Sequence, residues 1–289
     1  MASSLTQRTE AAVGQIQRFQ PFDSIGRAIA LWFSKVVRPG RLKDLLSGTW
    51  LGHPAHPMLT DLPIGAWTSA FALDVMGGEG AADASKRLVG LGVLAAIPTA
   101  VTGLSDLSDV VNEEDRSVGV AHALGNITAV ALYGLSYLQR RLGRKRTGIA
   151  LSLAGAAVAS GSAYLGGHLV YRRAVGPSQT ALDRPITDWT PVLDDSELAH
   201  GQPKRVRVEG TDVLLFRDEG RTYALANRCS HRGGPLHKGE VEDGRVTCPW
   251  HLSTFSLEDG SVLRGPATAP QPVYDVRVRE GRIEIRGPS

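Results

Sequence analysis

Two short cysteine–histidine motifs near the C-terminus constrain this chain more than any other feature. Cys229 and His231 form the first motif, and Cys248 and His251 form the second, with sixteen residues between them. One cysteine and one histidine in each of two loops is the ligand set of a two-iron, two-sulfide cluster. Two thiolates hold one iron, and two imidazoles hold the other. The sequence therefore predicts that these four side chains bind a [2Fe–2S] cluster.

A zinc ion is the alternative occupant, because two cysteines and two histidines also suit tetrahedral zinc. Zinc ligands usually come as C-x2-4-C and H-x3-5-H pairs. Here each loop supplies one cysteine and one histidine instead. The spacing therefore favours the iron cluster.

The sequence around the motifs resembles the Rieske family. Tyr223–Leu236 is similar to the first cluster loop with its preceding strand, and Cys248–His251 with Phe255 is similar to the second. Gly265–Ala267 is similar to the proline loop beneath them. The resemblance covers roughly residues 188 to 286 and implies a small β domain that holds the cluster.

The hydrophobic pattern supports the same fold independently. Short β-branched runs alternate with two-residue turns, namely Glu209-Gly210, Glu219-Gly220, Asp243-Gly244 and Glu280-Gly281. Strand-like runs separated by such turns predict a small all-β barrel or sandwich.

The resemblance also implies a class of reduction potential. High-potential members of the family clamp their two loops with a disulfide, but both cysteines of this chain are predicted ligands. Those members also donate hydrogen bonds from a serine and a tyrosine, whereas this chain has Ser253 and then Phe255. Fewer donors to the sulfur atoms lower the potential, so we expect a low to intermediate value. Ser253 either tunes the cluster or is an ordinary loop hydroxyl.

The chain before about residue 175 has a different composition. It is rich in Ala, Gly, Leu and Val, and it contains four apolar stretches, at 58–77, 88–107, 118–138 and 148–171. Each is close to the ~20 residues that span a bilayer, and small residues are typical of closely packed membrane helices. The pattern predicts four transmembrane helices, with a soluble helical bundle as the alternative.

The expected fold class is therefore α + β multidomain, a four-helix transmembrane bundle followed by an all-β Rieske domain. The predicted parts are an N-terminal amphipathic arm (1–47), the four-helix membrane domain (48–174), a linker (175–187) and the cluster domain (188–289). Apolar residues at helical spacing within 19–37, with basic residues among them, predict a helix. It lies either on an anionic membrane surface or against the protein itself.

Four histidines outside the motifs form a possible second site. With four alternating spans, His53, His56, His122 and His168 all lie at one side of the membrane, and ionisable groups near spans often mark function. Two facing histidines could ligate haem, with His122 and His168 as the first choice. A quinone headgroup, or a metal ion held by His53 or His56 with Asp61, are further options. Hydrogen bonds to neighbouring helices are the structural alternative.

The residues around the first apolar stretch carry a second resemblance. His53-Pro-Ala-His56-Pro ahead of Asp61-Leu-Pro63 resembles the entry motif of an uncharacterised four-helix bacterial membrane family. Some members of that family are fused to Rieske domains. The resemblance covers roughly residues 45 to 172 and implies no established activity.

The expected function is a membrane-tethered one-electron carrier, an electron-transfer component rather than a complete enzyme. A quinone- or haem-linked oxidoreductase and a redox sensor remain alternatives. A Rieske oxygenase is disfavoured, because it needs a large domain with a 2-His-1-carboxylate iron site and 38 residues follow His251. The expected partners are a redox protein or a quinone, and membrane lipid; nucleic acid is not expected.

The expected location is the cell membrane, crossed several times. Basic residues flank the two sides of the spans equally, so the positive-inside rule does not decide the orientation. Arg140-Arg141 could act as an export signal. The lack of a disulfide instead fits a reducing compartment and favours a cytoplasmic Rieske domain.

Overall fold

The computed structural model describes residues 4–287, which form two compact units. The helical unit contains the chain up to Val36 and Ala55–Val175, and the β unit contains Val37–Pro54 and the chain from Gly176 onward. We call Val37–Pro54 the strap. The strap precedes the long helices in sequence but belongs to the β unit.

Seven α-helices lie within the described residues, rather than the four predicted for the membrane part. They are α1 (Ser4–Gln17), α2 (Gln20–Val36), α3 (Arg41–Ser47), α4 (Ala55–Met76), α5 (Ala82–Ser108), α6 (Glu113–Arg141) and α7 (Lys145–Gly167). The four apolar stretches fall in α4 to α7, and the predicted amphipathic helix is α2. The sequence pattern does not predict α1, which has no apolar run, or α3, which is 7 residues long.

Three helical segments are long and apolar enough to cross a membrane. They are Ala82–Ser108, Glu113–Arg141 and Lys145–Arg172, the last including a wider helical turn at its end. Helix α4 has 22 residues, but Asp61 and Asp74 lower its mean hydropathy. The fourth span therefore stays a prediction.

Helix α2 packs on the helical unit with one face. Asp23, Gly26 and Phe33 are buried, and Asp23 accepts a 2.7 Å hydrogen bond from Arg116 of α6. The other face leaves apolar side chains such as Trp32 exposed.

Helices α4 and α6 are joined by a buried ion pair. Arg140 Nη2 lies 2.5 Å from Asp74 Oδ2 and Arg140 Nη1 lies 2.8 Å from Asp74 Oδ1, and both side chains are 3% exposed. Ser85 of α5 donates a further hydrogen bond of 2.8 Å to Asp74. Arg140, considered above as part of an export signal, thus has a structural partner inside the helical unit.

Ten strands form the antiparallel sheets of the β unit. They are β1 (Thr190–Asp194), β2 (Lys204–Val208), β3 (Thr211–Asp218), β4 (Arg221–Ala226), β5 (Glu240–Glu242), β6 (Arg245–Thr247), β7 (Thr254–Ser256), β8 (Val262–Arg264), β9 (Asp275–Arg279) and β10 (Arg282–Arg286). The sheet orders are β1-β10-β9, β2-β3-β4 and β5-β6-β7-β8. The prediction of a small all-β domain is confirmed.

The four turns predicted from sequence all connect neighbouring strands. In each, both residues have positive φ, between 47° and 90°. This is the conformation of a two-residue type I′ hairpin, whose second position favours glycine. The turns fix the strand register, and two of the longer connections, β4–β5 and β6–β7, carry the cysteine–histidine motifs.

The Asp74–Arg140 pair provides a test of the helical unit. Asp74→Ala or Arg140→Ala leaves a buried charge without its counter-ion, so we expect each to destabilise the protein by about 3–5 kcal/mol. Thermal unfolding of the detergent-purified protein, followed by circular dichroism, measures the change. The control is Asp83→Ala, which removes an exposed partner of Lys86 and should leave the melting temperature unchanged. Equal melting temperatures for all three variants would contradict a stabilising role for the pair.

Candidate iron–sulfur site

Two loops of the β unit bring the four predicted ligands together. Cys229 and His231 follow β4, and Cys248 and His251 follow β6. Both cysteines are 1% exposed and belong to a hydrophobic core that also contains Phe255. The two imidazole rings lie next to each other, with centroids 5.1 Å apart and planes at 87°.

Both loops close with the same main-chain hydrogen bond. The carbonyl of Cys229 accepts from the N–H of Gly233 at 2.9 Å, and the carbonyl of Cys248 accepts from the N–H of Leu252 at 3.1 Å. Gly233 and Leu252 have φ of 78° and 62°. Glycine adopts this left-handed conformation freely, whereas for leucine it costs roughly 1–2 kcal/mol. The second loop therefore carries backbone strain to achieve the shape of the first.

This loop shape aims main-chain N–H groups at the sulfur atoms. The amides of His231 and Arg232 donate to Cys229, and those of Trp250 and His251 donate to Cys248. Hydrogen bonds of this kind favour the thiolate. The loops are therefore shaped to hold thiolate ligands.

The two thiols also affect each other. The hydrogen bond between them, followed by burial, raises the pKa of Cys229. The same hydrogen bond lowers the pKa of Cys248 to about 7. Burial, with Arg232, His251 and Lys43 nearby, holds the pKa of His231 well below its usual range. A neutral imidazole is the form that binds metal.

Gln271, which lies outside both cysteine–histidine motifs, braces the first loop. Its Oε1 accepts from the N–H of Ser230 at 3.0 Å, and its Nε2 donates to the carbonyls of Ala226 and Arg228, both at 2.6 Å. The side chain is 2% exposed. A polar residue between Pro270 and Pro272 was the available signal.

Asn227 braces the same loop from its other side. Its Oδ1 accepts from the main-chain N–H and from the Nδ1 of His237, each at 2.9 Å. His237 is therefore part of the loop's support, and burial lowers its pKa.

Ser253 ties the second loop to the proline loop. Its buried Oγ accepts from the N–H of Ala267 at 3.0 Å. A hydroxyl that accepts keeps its own proton for donation, so this geometry is compatible with the predicted hydrogen bond to a cluster sulfur. Phe255, at the tyrosine position of high-potential relatives, is fully buried and has no hydroxyl to donate.

The two cluster loops approach each other closely at Gly234 and Trp250. A Cβ atom on Gly234 would lie 2.7 Å from Cys248 Sγ and 3.1 Å from the Trp250 ring. The close approach of the two loops thus requires glycine here.

The strap packs against the proline loop. Asp44 Oδ1 accepts from the N–H of Gly265 at 2.9 Å, and Thr49 donates to the carbonyl of Ala267 at 3.1 Å. Lys43 is 6% exposed and lies close enough to His231 to act on it electrostatically. The strap therefore brings a buried positive charge to the histidine edge of the site.

The donor set fits the predicted cluster. The cysteines form one adjacent pair and the histidines another, as two irons with separate ligand pairs require. Within residues 4–287, no three His, Cys, Asp or Glu side chains converge so as to hold a single metal ion. The arrangement suits a [2Fe–2S] cluster better than one zinc ion.

The four histidines of the possible second site are not all brought together. His56 and His122 form a pair, with ring centroids 6.4 Å apart. His53 lies in the strap, where its Nδ1 is 3.3 Å from the carbonyl of Pro54. His168 lies near the charges of Asp115 and Arg172. The structure thus pairs His122 with His56, and not with His168 as the haem prediction preferred.

Comparisons with known proteins agree with this class of iron–sulfur site. The family model "Rieske [2Fe-2S] domain" matches residues 188–275, and "Predicted membrane protein (DUF2231)" matches residues 52–179. The chain is 32% identical over 101 residues to the anthranilate 1,2-dioxygenase ferredoxin subunit of Burkholderia cepacia, covering 35% of this chain and 93% of the relative. The chain belongs to the Rieske [2Fe-2S] family and carries the membrane-protein region in the same polypeptide.

Other relatives match the same β domain. The 3-phenylpropionate/cinnamic acid dioxygenase ferredoxin subunit of Photorhabdus laumondii is 38% identical over 90 residues, covering 31% of this chain and 85% of the relative. Mouse apoptosis-inducing factor 3 is 34% identical over 90 residues, or 31% of this chain, and the chain spans 15% of its length. A solved ferredoxin of carbazole 1,9a-dioxygenase from Nocardioides aromaticivorans IC177 is 28% identical, with a TM-score of 0.34, covering 35% of this chain and all of that one.

Lys43 provides a test of the strap's electrostatic effect. Lys43→Met removes a buried positive charge near the histidine ligands, so adding an electron becomes less favourable. We expect the reduction potential to fall by an amount on the order of tens of millivolts. A redox titration followed by EPR measures it. Lys43→Arg, which keeps the charge, and Lys204→Met, which removes an exposed one, should leave the potential unchanged. An equal fall in the Met and Arg variants would show that packing, not charge, is responsible.

Proposed function

We propose that this protein is a membrane-tethered one-electron carrier of low to intermediate potential. The observation that carries the proposal is the pair of matched loops, which present two buried thiols and two adjacent imidazoles. A [2Fe–2S] cluster held there takes up and gives back one electron at a time. His231 and His251 are partly exposed and form the edge at which a partner would couple.

The expected potential follows from what surrounds the sulfur atoms. The loops have main-chain donors and Ser253, but no disulfide and no tyrosine hydroxyl at position 255. We therefore expect a potential towards the lower end of the Rieske range, which extends from about −150 to +300 mV. The charge of Lys43 raises the value above that of the same loops without the strap.

The proposed partners are soluble redox proteins. Two relatives that the chain covers along most of their length are named as ferredoxin subunits of dioxygenase systems. By analogy, a flavoprotein reductase would supply the electron and an oxygenase-type or other metalloprotein would accept it. A quinone is the second candidate donor.

The strap supports a multi-pass arrangement with four crossings. Strap residues Asp44 and Thr49 hydrogen-bond to Gly265 and Ala267 within one folded unit. A folded unit lies on one side of a membrane, so residues 55–175 between its two parts cross an even number of times. If α5, α6 and α7 each cross, α4 is the fourth span. A pair of cysteines without a disulfide favours the cytoplasm for the Rieske domain.

The carrier function is tested by the source of electrons. In the detergent-purified full chain, we expect a soluble flavoprotein ferredoxin reductase with NADH to reduce the cluster, as seen in its EPR signal. His56→Asn and His122→Asn should leave the rate unchanged, and Cys248→Ser should abolish the signal. Reduction by a quinol alone, lost in His122→Asn, would instead support a membrane oxidoreductase.

The four-crossing arrangement is tested by reporter fusions. Alkaline phosphatase and green fluorescent protein are inserted in turn at Gly78, Asn112 and Gly143 and at the C-terminus. We expect Gly78 and Gly143 to report the external side, and Asn112 and the C-terminus the cytoplasm. The same side for Gly78 and the C-terminus would contradict a crossing by α4.

A further inference from the structure

Helices α4 to α7 contain two copies of one helical hairpin, α4–α5 and α6–α7. Three pairs of residues, each 66 positions apart in the chain, meet between α4 and α6: His56 with His122, Trp67 with Tyr133, and Asp74 with Arg140. The Trp67 and Tyr133 rings are stacked, with centroids 3.9 Å apart and planes 6° apart. Equivalent residues that meet each other define a pseudo-two-fold axis between the repeats.

The second helix of each hairpin repeats the same contacts. Here equivalent positions are 63 apart: Thr99 and Ser162, Gly103 and Gly166, and Gly92 and Gly155. Gly103 and Gly166 lie beneath His56 and His122, and Gly92 and Gly155 lie beneath Trp67 and Tyr133. The repeat therefore includes the surroundings of each axial residue.

The three pairs extend along most of the axis. His56 and Asp74 are 18 positions apart on α4, which corresponds to about 27 Å of helix. The Trp67–Tyr133 stack and the Asp74–Arg140 ion pair fill two positions on the axis with directly complementary groups. The histidine pair at the other end contains two groups that can each bind a metal.

The hydrogen bonds of both histidines define their tautomers. His56 Nδ1 lies 2.9 Å from the carbonyl oxygen of Thr99, and His122 Nδ1 lies 2.8 Å from that of Ser162. A carbonyl only accepts, so each Nδ1 carries the proton and each Nε2 has its lone pair available. Asn126 Nδ2, 3.0 Å from His122 Nε2, donates to that lone pair.

A metal-binding histidine typically has this support, with its second nitrogen held by a main-chain carbonyl. Gly103 and Gly166 also fix the positions of the two imidazole rings, because each ring packs directly against the glycine backbone. A Cβ atom on Gly103 would lie 2.8 Å from the His56 ring, and one on Gly166 would lie 2.9 Å from the His122 ring. Each imidazole is therefore held in place by a glycine of the neighbouring helix and by its hydrogen bond to a main-chain carbonyl.

We propose that His56 and His122 together bind one transition-metal atom through their Nε2 atoms, on the axis between the two repeats. Two imidazoles on opposite sides of one metal, with bonds of about 2.0–2.1 Å, have ring centres roughly 6 Å apart. The observed separation is 6.4 Å. Metal binding replaces the hydrogen bond from Asn126 to His122.

The number of donor atoms limits which metal can bind at this pair. In the part of the chain that the structure describes, the pair has no third His, Cys, Asp or Glu ligand. Zinc in structural sites takes four ligands, and magnesium and calcium prefer oxygen. Two imidazoles alone suit haem iron, whose other four ligands come from the porphyrin, or copper, for which imidazole is a good ligand. The shared chemistry is a transition metal held by two neutral nitrogens.

The experiment counts metals in the full chain. Cells expressing it are supplied with iron, copper and a haem precursor, and the detergent-purified protein is analysed for iron, copper and zinc, for a Soret band and for pyridine haemochrome. Beyond the irons of the Rieske cluster, we expect one further metal atom per chain. A third iron with a Soret band identifies haem, and copper without a Soret band identifies a bare ion.

The variants separate a metal site from a structural histidine pair. His56→Asn and His122→Asn can keep a donor for the Thr99 or Ser162 carbonyl but lack the Nε2 ligand. Each should lower the occupancy of the extra metal roughly tenfold or more, while the EPR signal of the Rieske cluster confirms that the protein is folded. His53→Asn and His168→Asn are the matched controls and should keep the metal.

Two results would overturn the proposal. One is a preparation with a full Rieske EPR signal and no metal beyond the cluster irons. The other is an extra metal that persists in both His56→Asn and His122→Asn. Neither result bears on the carrier function, which the Rieske signal reports separately.

Discussion

The hydrogen bond that closes each cluster loop is the constraint on which the site depends. Because the N–H of the residue four positions after each cysteine returns to the cysteine carbonyl, the intervening amides turn inward towards the sulfur. A loop that opened would lose these donors and withdraw its thiol from the core. Gln271 and Asn227 brace the first loop, and Ser253 joins the second loop to the proline loop. All three contacts therefore help to keep the two loops closed.

The ligands and the hairpin turns could be predicted because both are local signals. Cys229, His231, Cys248 and His251 are recognisable by spacing, and an acidic residue followed by glycine indicates a type I′ turn wherever it separates two β-branched runs. The three-residue strands β5 to β8 have too little pattern to be recognised. The Gln271 side chain and the strap act through contacts with residues 41 or more positions away, which no local pattern contains.

The same distinction applies to the histidines of the helical unit. Alternating spans predicted that four histidines lie at one side of the membrane, but the choice of partner depends on how the helices pack. His56 meets His122 because α4 and α6 face each other across an axis. Recognising the repeat first, from its paired His and Gly positions, would have indicated this pairing. The repeat also places the ion pair on the axis. Identical charged residues at these two positions would repel each other, whereas Asp74 and Arg140 carry opposite charges.

The strap has a consequence for how the protein is made. It leaves the ribosome before the long helices, yet the proline loop on which it packs is the product of the last quarter of the chain. For the time needed to synthesise more than two hundred residues, Lys43, Asp44 and Thr49 have no surface to pack on. The strap, which is the first part of the β domain to be synthesised, thus completes the domain. A fragment that starts at the 175–187 linker would reproduce all ten strands and still lack one wall of the domain.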